Sequence, residues 1–270
     1  MQGATSTFDI ERLIDAERRS WRRSALQAAG VLAVVCASAY AVDLLDVRRL
    51  WEGVPDLLDI VGEMLPPDFA RAADWVKPMF DTLAMSIAGT ALAVVLSLPL
   101  AFLAARTTAP SPAIYRLSRA VLNGVRAVPE LIMGIIFVAA VGFGALPGVL
   151  ALGLHSIGMV GKFFAEAIEH ADRTPIEAIV ATGASPMQVR LHGVLAQVVP
   201  QFGDVALYRW EYNFRASTTL GLVGAGGIGF ELLASLRTLN YQEVSALLLI
   251  IFITVTAIDA LSARLRRRFQ

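Results

Sequence analysis

Runs of predominantly apolar residues, each close to the ~20 needed to carry a helix across roughly 30 Å of hydrocarbon, recur along this chain and are fenced by charge. Six meet that description: Ala25–Val42, Met79–Ala105, Val121–Phe143, Leu146–Ile168, Phe202–Val223 and Val244–Ala263. The third and fifth carry charged residues inside them. With 56% hydrophobic and 17% charged residues among 270 and a mean hydropathy of +0.61, the chain is too apolar for a soluble domain of its length. The expectation is an all-α membrane protein with six transmembrane helices.

Charge orients the spans. Arg12, Arg18, Arg19, Arg22 and Arg23 precede the first run, and Arg264, Arg266, Arg267 and Arg268 follow the last, which places both termini in the cytoplasm. Arg106, Arg116 and Arg119 then also lie inside, and the acid-rich stretch with Asp43, Asp46, Glu52, Asp56, Asp59, Glu63, Asp68 and Asp74 lies outside. The resulting division is a cytoplasmic leader at 1–24, a first transmembrane helix at 25–42, an extracytoplasmic segment at 43–78 and a core at 79–268. In the segment 43–78, Leu50, Trp51, Val54, Leu57, Leu58, Val61 and Leu65 recur at helical spacing, so it reads either as an amphipathic surface helix or as a solvated linker. The stretch before the first run mixes acids and bases and offers no small-residue cleavage site after it, so it reads as retained. A formal charge of +0 argues against nucleic acid as a partner, and Cys36, His155, His170 and His192 show no metal-ligand spacing.

The long inside loop, 169–201, is dense in helix punctuation. Thr174, Pro175 and Glu177 fit the N-cap, N1 and N3 positions of a capping box, and Gly183 suits a left-handed C-terminal residue. Ser185, Pro186 and Gln188 repeat the pattern, so the chain specifies a short helix, a glycine corner and a second helix. Glu177, Ala178 and Gly183 in EAIVATG resemble the EAA loop of bacterial ABC-importer permeases, although Ala196 stands where that family usually has a first proline, with Pro200 matching a second. The resemblance implies that Glu177, Ala178, Gly183 and Ser185 couple the loop to a separate ATPase. No GxxxxGK[ST] loop occurs, since GMVGK at Gly158–Lys162 has the wrong glycine spacing, so ATP and Mg are expected on that partner and no cofactor on this chain.

Ionisable residues inside a span cost at least ~2.5 kcal/mol and normally face a partner or water. Arg126 and Glu130 stand at i, i+4 with Pro129 between, spaced for a salt bridge or a functional pair. Arg209, Glu211, Asn213 and Arg215 precede Ser217, Thr218 and Thr219, and arginines, an amide and hydroxyls together make a donor array for a tetrahedral oxyanion. LGLVGAGGIG, from Leu220, holds a literal GxGxxG, but no strand-helix-strand unit surrounds it. A helix break, a close helix contact or unwound backbone beside a cavity remain as readings of Gly224, Gly226, Gly227 and Gly229, grouped as a hinge.

RAVPELIMG from Arg126 and YRWEYNFRASTTLGLVGAGGIG from Tyr208 resemble the phosphonate-type branch of these permeases, and the likeness spans about Phe80 to Arg268. It implies a MetI-like fold in the bacterial inner membrane, a homodimer with the pore at its interface, two ATP-binding subunits and an extracytoplasmic substrate-binding protein. The substrate would be phosphonate, phosphate or phosphite, with Asn213, Arg215, Thr218, Thr219, Arg126 and Glu130 along its path. Two other functions suit a polytopic chain: an ion-driven secondary transporter in which Glu130 carries a proton, and a membrane assembly factor with no path.

Overall fold

The computed structural model describes residues 4–267. Arg268, one of the arginines that orient the termini, lies outside the described residues, as do the side chains of Arg12, Arg19 and Leu50. The chain divides between Gly62 and Glu63 into two compact units, inside the stretch 43–78 that the sequence presents as one segment.

In the first unit, helix α1 (Ala4–Ala41) holds the apolar run Ser20–Ala41, of mean hydropathy 1.6. It ends just before a turn in which Asp43 takes a φ of 56°. Helix α2 (Val47–Glu63) follows, so 47–63 of the segment is helical. Trp51, Val54, Leu57, Leu58 and Val61 line one side, while Arg48, Glu52, Asp56 and Asp59 occupy the other. Arg48 and Glu52 pair along the polar side at 2.8 Å.

The second unit is a bundle of helices: α3 (Val76–Ala104), α4 (Pro112–Ala127), α5 (Glu130–Val141), α6 (Ala145–Glu169), α7 (Arg173–Ala181), a single turn α8 (Pro186–Gln188), α9 (Ala196–Leu220), α10 (Ile228–Arg237) and α11 (Tyr241–Arg266). π-helical stretches at Val189–Leu195 and Gly221–Ala225 lead into and out of α9. α6 is the axis of the bundle and packs on α3, α4, α5 and α9. It can hold that place because its face is built of small residues. A side chain at Gly158 would reach within 2.6 Å of the Leu122 carbonyl, so α4 crosses α6 at backbone contact. Residues before α3 also join this unit: Asp68 N–H donates to the Gln242 carbonyl, Ser245 Oγ donates to the Met64 carbonyl, and Trp75 is buried.

Four helices are long and apolar enough to span a membrane among the described residues, and six if each of two bent pairs is one span. The expected all-α, six-span architecture fits the second count. The expected third span, Val121–Phe143, is not one straight helix: α4 and α5 meet at 84°. Pro129 is the cause, because it holds Val128 in extended backbone (ψ 121°) and has no N–H to continue the helix. The expected fifth span, Phe202–Val223, falls on α9 and its π-helical end, after which the chain turns by 59° into α10.

Candidate functional site

The connection between α6 and α9 folds as two capped helical pieces around a glycine corner. The cap of α7 differs from the sequence reading. Asp172, not Thr174, is its N-cap, accepting the Thr174 N–H at 2.9 Å, so Pro175 falls in the first turn and Glu177 beyond the N3 position. Both residue types can cap, and the aspartate two positions upstream starts the helix earlier. The Ser185 box forms as expected, with Ser185 Oγ accepting from the Gln188 N–H and Gln188 Oε1 accepting from the Ser185 N–H at 2.8 Å. Gly183 takes φ +80°, which an L side chain adopts only with strain.

This corner is clamped to the base of α9. Gln197 accepts the Asp172 N–H at 3.0 Å through Oε1, while its Nε2 donates to the carbonyls of Asp172 and Gly193. Arg190 reaches across to donate to the Thr108 carbonyl at 3.1 Å. Between these anchors lies a cavity of about 570 Å³ lined by Glu169, Arg173, Glu177, Val180 and Arg190 among others. Ala178, Val180 and Met187 are exposed on α7 and α8, which leaves an apolar-edged ridge held from behind by hydrogen bonds. On the α3–α4 turn beside it, the Tyr115 hydroxyl accepts from Arg106 Nε at 3.0 Å and holds that guanidinium above its usual pKa.

α9 separates the expected donor array onto two faces. Arg209, Asn213 and Ser217 point into the bundle. Arg209 Nε donates to Ser156 Oγ at 2.8 Å, Ser156 donates to Asn213 Oδ1 at 3.1 Å, and Asn213 Nδ2 donates to Thr90 Oγ1 at 2.9 Å. Asn213 is fully buried with both polar ends taken, on a different face of α9 from Arg215. The helix turns by ~100° per residue, so residues two apart cannot share a face.

Arg215 and Thr219 lie on the exposed face, and Thr218, partly exposed, donates to the Arg215 carbonyl. Arg215 Nη1 donates to both oxygens of Asp259 on α11, at 3.1 and 3.2 Å, with each side chain nearly half exposed. Further along the same pair of helices, Arg266 forms an ion pair with Glu211 at 2.8 Å. Asp259 stands about 10 Å from Arg266 along α11, at 1.5 Å per residue.

Arg126 and Glu130 do not pair, because the break at Pro129 takes them off a common helix. Arg126 turns back to Asn123. Glu130 instead meets His155 Nε2 at 3.2 Å and accepts from the Tyr212 hydroxyl at 2.8 Å.

The glycine segment combines two of the three readings. Gly224, Gly226 and Gly227 all have positive φ (98°, 77° and 73°) and break the helix. Gly229 is helical and makes the close contact, with Gly221 packed against its Cα. Freed backbone is tied internally: the Ile228 N–H donates to Thr82 Oγ1 at 2.8 Å and the Gly144 N–H to the Gly224 carbonyl at 3.2 Å.

A match to the family model described as binding-protein-dependent transport system inner membrane component covers residues 78–270, the whole helical bundle with both the clamped corner and the glycine break. The chain belongs to that family. It is 59% identical over 98% of its length to the full phosphite transport system permease protein PtxC of Stutzerimonas stutzeri. It is also 43% identical over 85% of its length to the phosphate-import permease protein PhnE of Mycolicibacterium smegmatis, of which it covers 43%. Among solved structures, the MetNI methionine ABC transporter in inward-facing conformations superposes with a TM-score of 0.64 over 73% of this chain and 96% of the other, at 24% identity. That likeness carries the MetI-like fold.

For an inner membrane component of this family, the residues that sequence reasoning passed over are those whose partners are far away in the chain. His155, Ser156, Thr90 and Asp259 all engage α9 or its neighbours across 44 residues or more, or across the α4–α5 break. Only the uncharged flanks of Asp259 in an otherwise apolar run marked it out, since an ionised group there requires a partner.

Proposed function

We propose that this chain is the membrane-spanning permease subunit of an ATP-driven importer for a phosphorus oxyanion, with phosphite as the leading substrate and phosphate and phosphonate as the related ones. The similarity to the phosphite permease along nearly the entire chain carries this reading. In it, two copies enclose the pore, both termini face the cytoplasm, ATP and Mg bind separate subunits docked on α7 and α8, and an extracytoplasmic protein delivers the anion. Uptake of radiolabelled phosphite by cells lacking their other phosphorus oxyanion systems, competed by phosphate and by an alkylphosphonate, tests it. Uptake that needs the chain supports the reading. Uptake of all three anions that is indifferent to the chain contradicts it.

Within this reading Arg215, Thr218 and Thr219 face the path. The guanidinium spends one nitrogen on Asp259, and an anion would meet the other two. Arg215→Ala is expected to raise the KM for uptake about tenfold, the equivalent of ~1.4 kcal/mol, with melting temperature nearly unchanged because the half-exposed Asp259 left behind would be solvated by the water of the path. Transport kinetics and thermal melting of the same variant check both halves.

Gly183→Val tests the coupling role. No atom lies within 4 Å of an added Cβ, so the change strains only the left-handed corner, by roughly 1–2 kcal/mol. The expected result is a folded permease whose partner ATPase still hydrolyses ATP while uptake falls severalfold. Unchanged uptake would remove the corner from the mechanism.

A further inference from the structure

We infer that Glu130 and His155 form a proton-binding site inside the membrane-spanning bundle, holding one shared proton that ties the α4–α5 break to α6. This goes beyond the proposed transport function and does not depend on which anion is carried. Pro129 sets the geometry. By ending α4, it leaves the Val128 carbonyl without a helical partner. His155 Nδ1 lies 3.1 Å from that oxygen. A carbonyl can only accept, so Nδ1 carries a hydrogen.

The other ring nitrogen is then the informative one. His155 Nε2 sits 3.2 Å from Glu130 Oε2. In the neutral ring with its hydrogen on Nδ1, Nε2 presents a bare lone pair, and a bare carboxylate oxygen facing it would repel it. One proton must therefore lie on either Nε2 or Oε2. The second carboxyl oxygen is already engaged, since the Tyr212 hydroxyl donates to Oε1 at 2.8 Å. Glu130 is a quarter exposed, so its carboxyl is not sealed inside the bundle.

The groups around the pair are committed elsewhere, apart from one nitrogen of Arg209. From α9, Arg209 lies over the Tyr212 ring at 4.1 Å and spends Nε on Ser156, its Nη1 contacts Met159, and its buried Nη2 has no hydrogen-bond partner. Tyr208 stands one turn before Tyr212 and is half exposed. From α4, Arg126 is directed to Asn123. From α6 and α3, Ser156 and Thr90 are committed to Asn213. Loss of the shared proton to water would leave two acceptors in contact and loosen the polar tie between the start of α5 and α6. α5 runs into Gly144, which holds the Gly224 carbonyl, so the site lies one helix away from the glycine break.

Glu130→Gln separates the shared proton from the packing. The glutamine oxygen can still accept from Tyr212 and its amide can donate to a bare Nε2, so every contact survives without a titrating proton. Purified full-length wild type and E130Q are melted from about pH 4 to about pH 9, a range that includes the ordinary glutamate and histidine titrations at about 4.3 and about 6.5. The stabilising contact is present while the proton is bound and is lost as pH rises past the pair's titration. The expected result is that the wild-type melting temperature falls relative to E130Q by about 2–4 °C across that range. Superimposable profiles would overturn the site. As a second measurement, nitrogen NMR of wild type carrying H170Q and H192Q leaves His155 as the one histidine. A hydrogen on Nδ1 throughout, with Nε2 moving in a single titration, supports the site, and a neutral ring protonated on Nε2 contradicts it, whether or not E130Q folds.

Discussion

Gly229→Val leaves no folded permease. The position is in the first turn of α10, pressed back onto the end of α9 by the three positive-φ glycines before it. An added Cβ would drive into the Thr218 carbonyl oxygen, with the Thr218 carbonyl carbon at 2.8 Å and Gly221 Cα at 3.2 Å. All three are backbone atoms, and no side chain can rotate away to make room. Overpacking in a yielding core costs ~1–3 kcal/mol, and this site lies at or above the upper end because two helix axes must separate. That separation would also break the hydrogen bond from the Ile228 N–H to Thr82. Size-exclusion chromatography in detergent is expected to show little monodisperse protein. Gly124→Ala, with nothing within 4 Å of the new carbon, is the control that retains it.

Asn213→Leu is the second large effect, and it separates the inner face of α9 from the outer one. The amide is the middle of a relay from Arg209 through Ser156 to Thr90. Leucine would leave the Ser156 hydroxyl proton without its acceptor and Thr90 without its donor. Interhelical hydrogen bonds in membranes are worth ~0.6 kcal/mol on average and up to ~1.7. Forcing a bulkier side chain into a site with 0% exposure adds another ~1–3 kcal/mol. A total near 3 kcal/mol corresponds to a fall of roughly 6–12 °C in melting temperature. Any protein that still folds should show an unaltered KM, the reverse of Arg215→Ala. An Asn213→Leu variant that melts like wild type but takes up anion poorly would return Asn213 to the path.

Much of this architecture is written locally. Apolar length marked the helices, and Ser185, Gln188 and Gly183 specified a corner that folds as read, because caps and left-handed turns are decided by neighbours within four residues. Where two local solutions compete, as with Asp172 and Thr174, spacing alone does not choose between them. The site residues were less legible for a geometric reason. Arg126 and Glu130 are well spaced for a pair only on an unbroken helix, and Pro129 removes that condition. Polar residues crowded into one stretch of α9 looked like one array, whereas helical rotation directs Asn213 to Thr90 and Arg215 to Asp259. The bonds that decide these roles run between helices far apart in the chain, and a single sequence does not encode their register in any local pattern.

ATP-driven import of a phosphorus oxyanion through this chain is tested by accumulation of radiolabelled phosphite in proteoliposomes. The vesicles contain the chain with an ATP-binding subunit and binding protein of the same system, and ionophores collapse all ion gradients. Accumulation is expected to require ATP and Mg on the ATP-binding subunit's side and to be indifferent to the ionophores. Accumulation without ATP that disappears when the gradients collapse would contradict it and make the chain a secondary transporter.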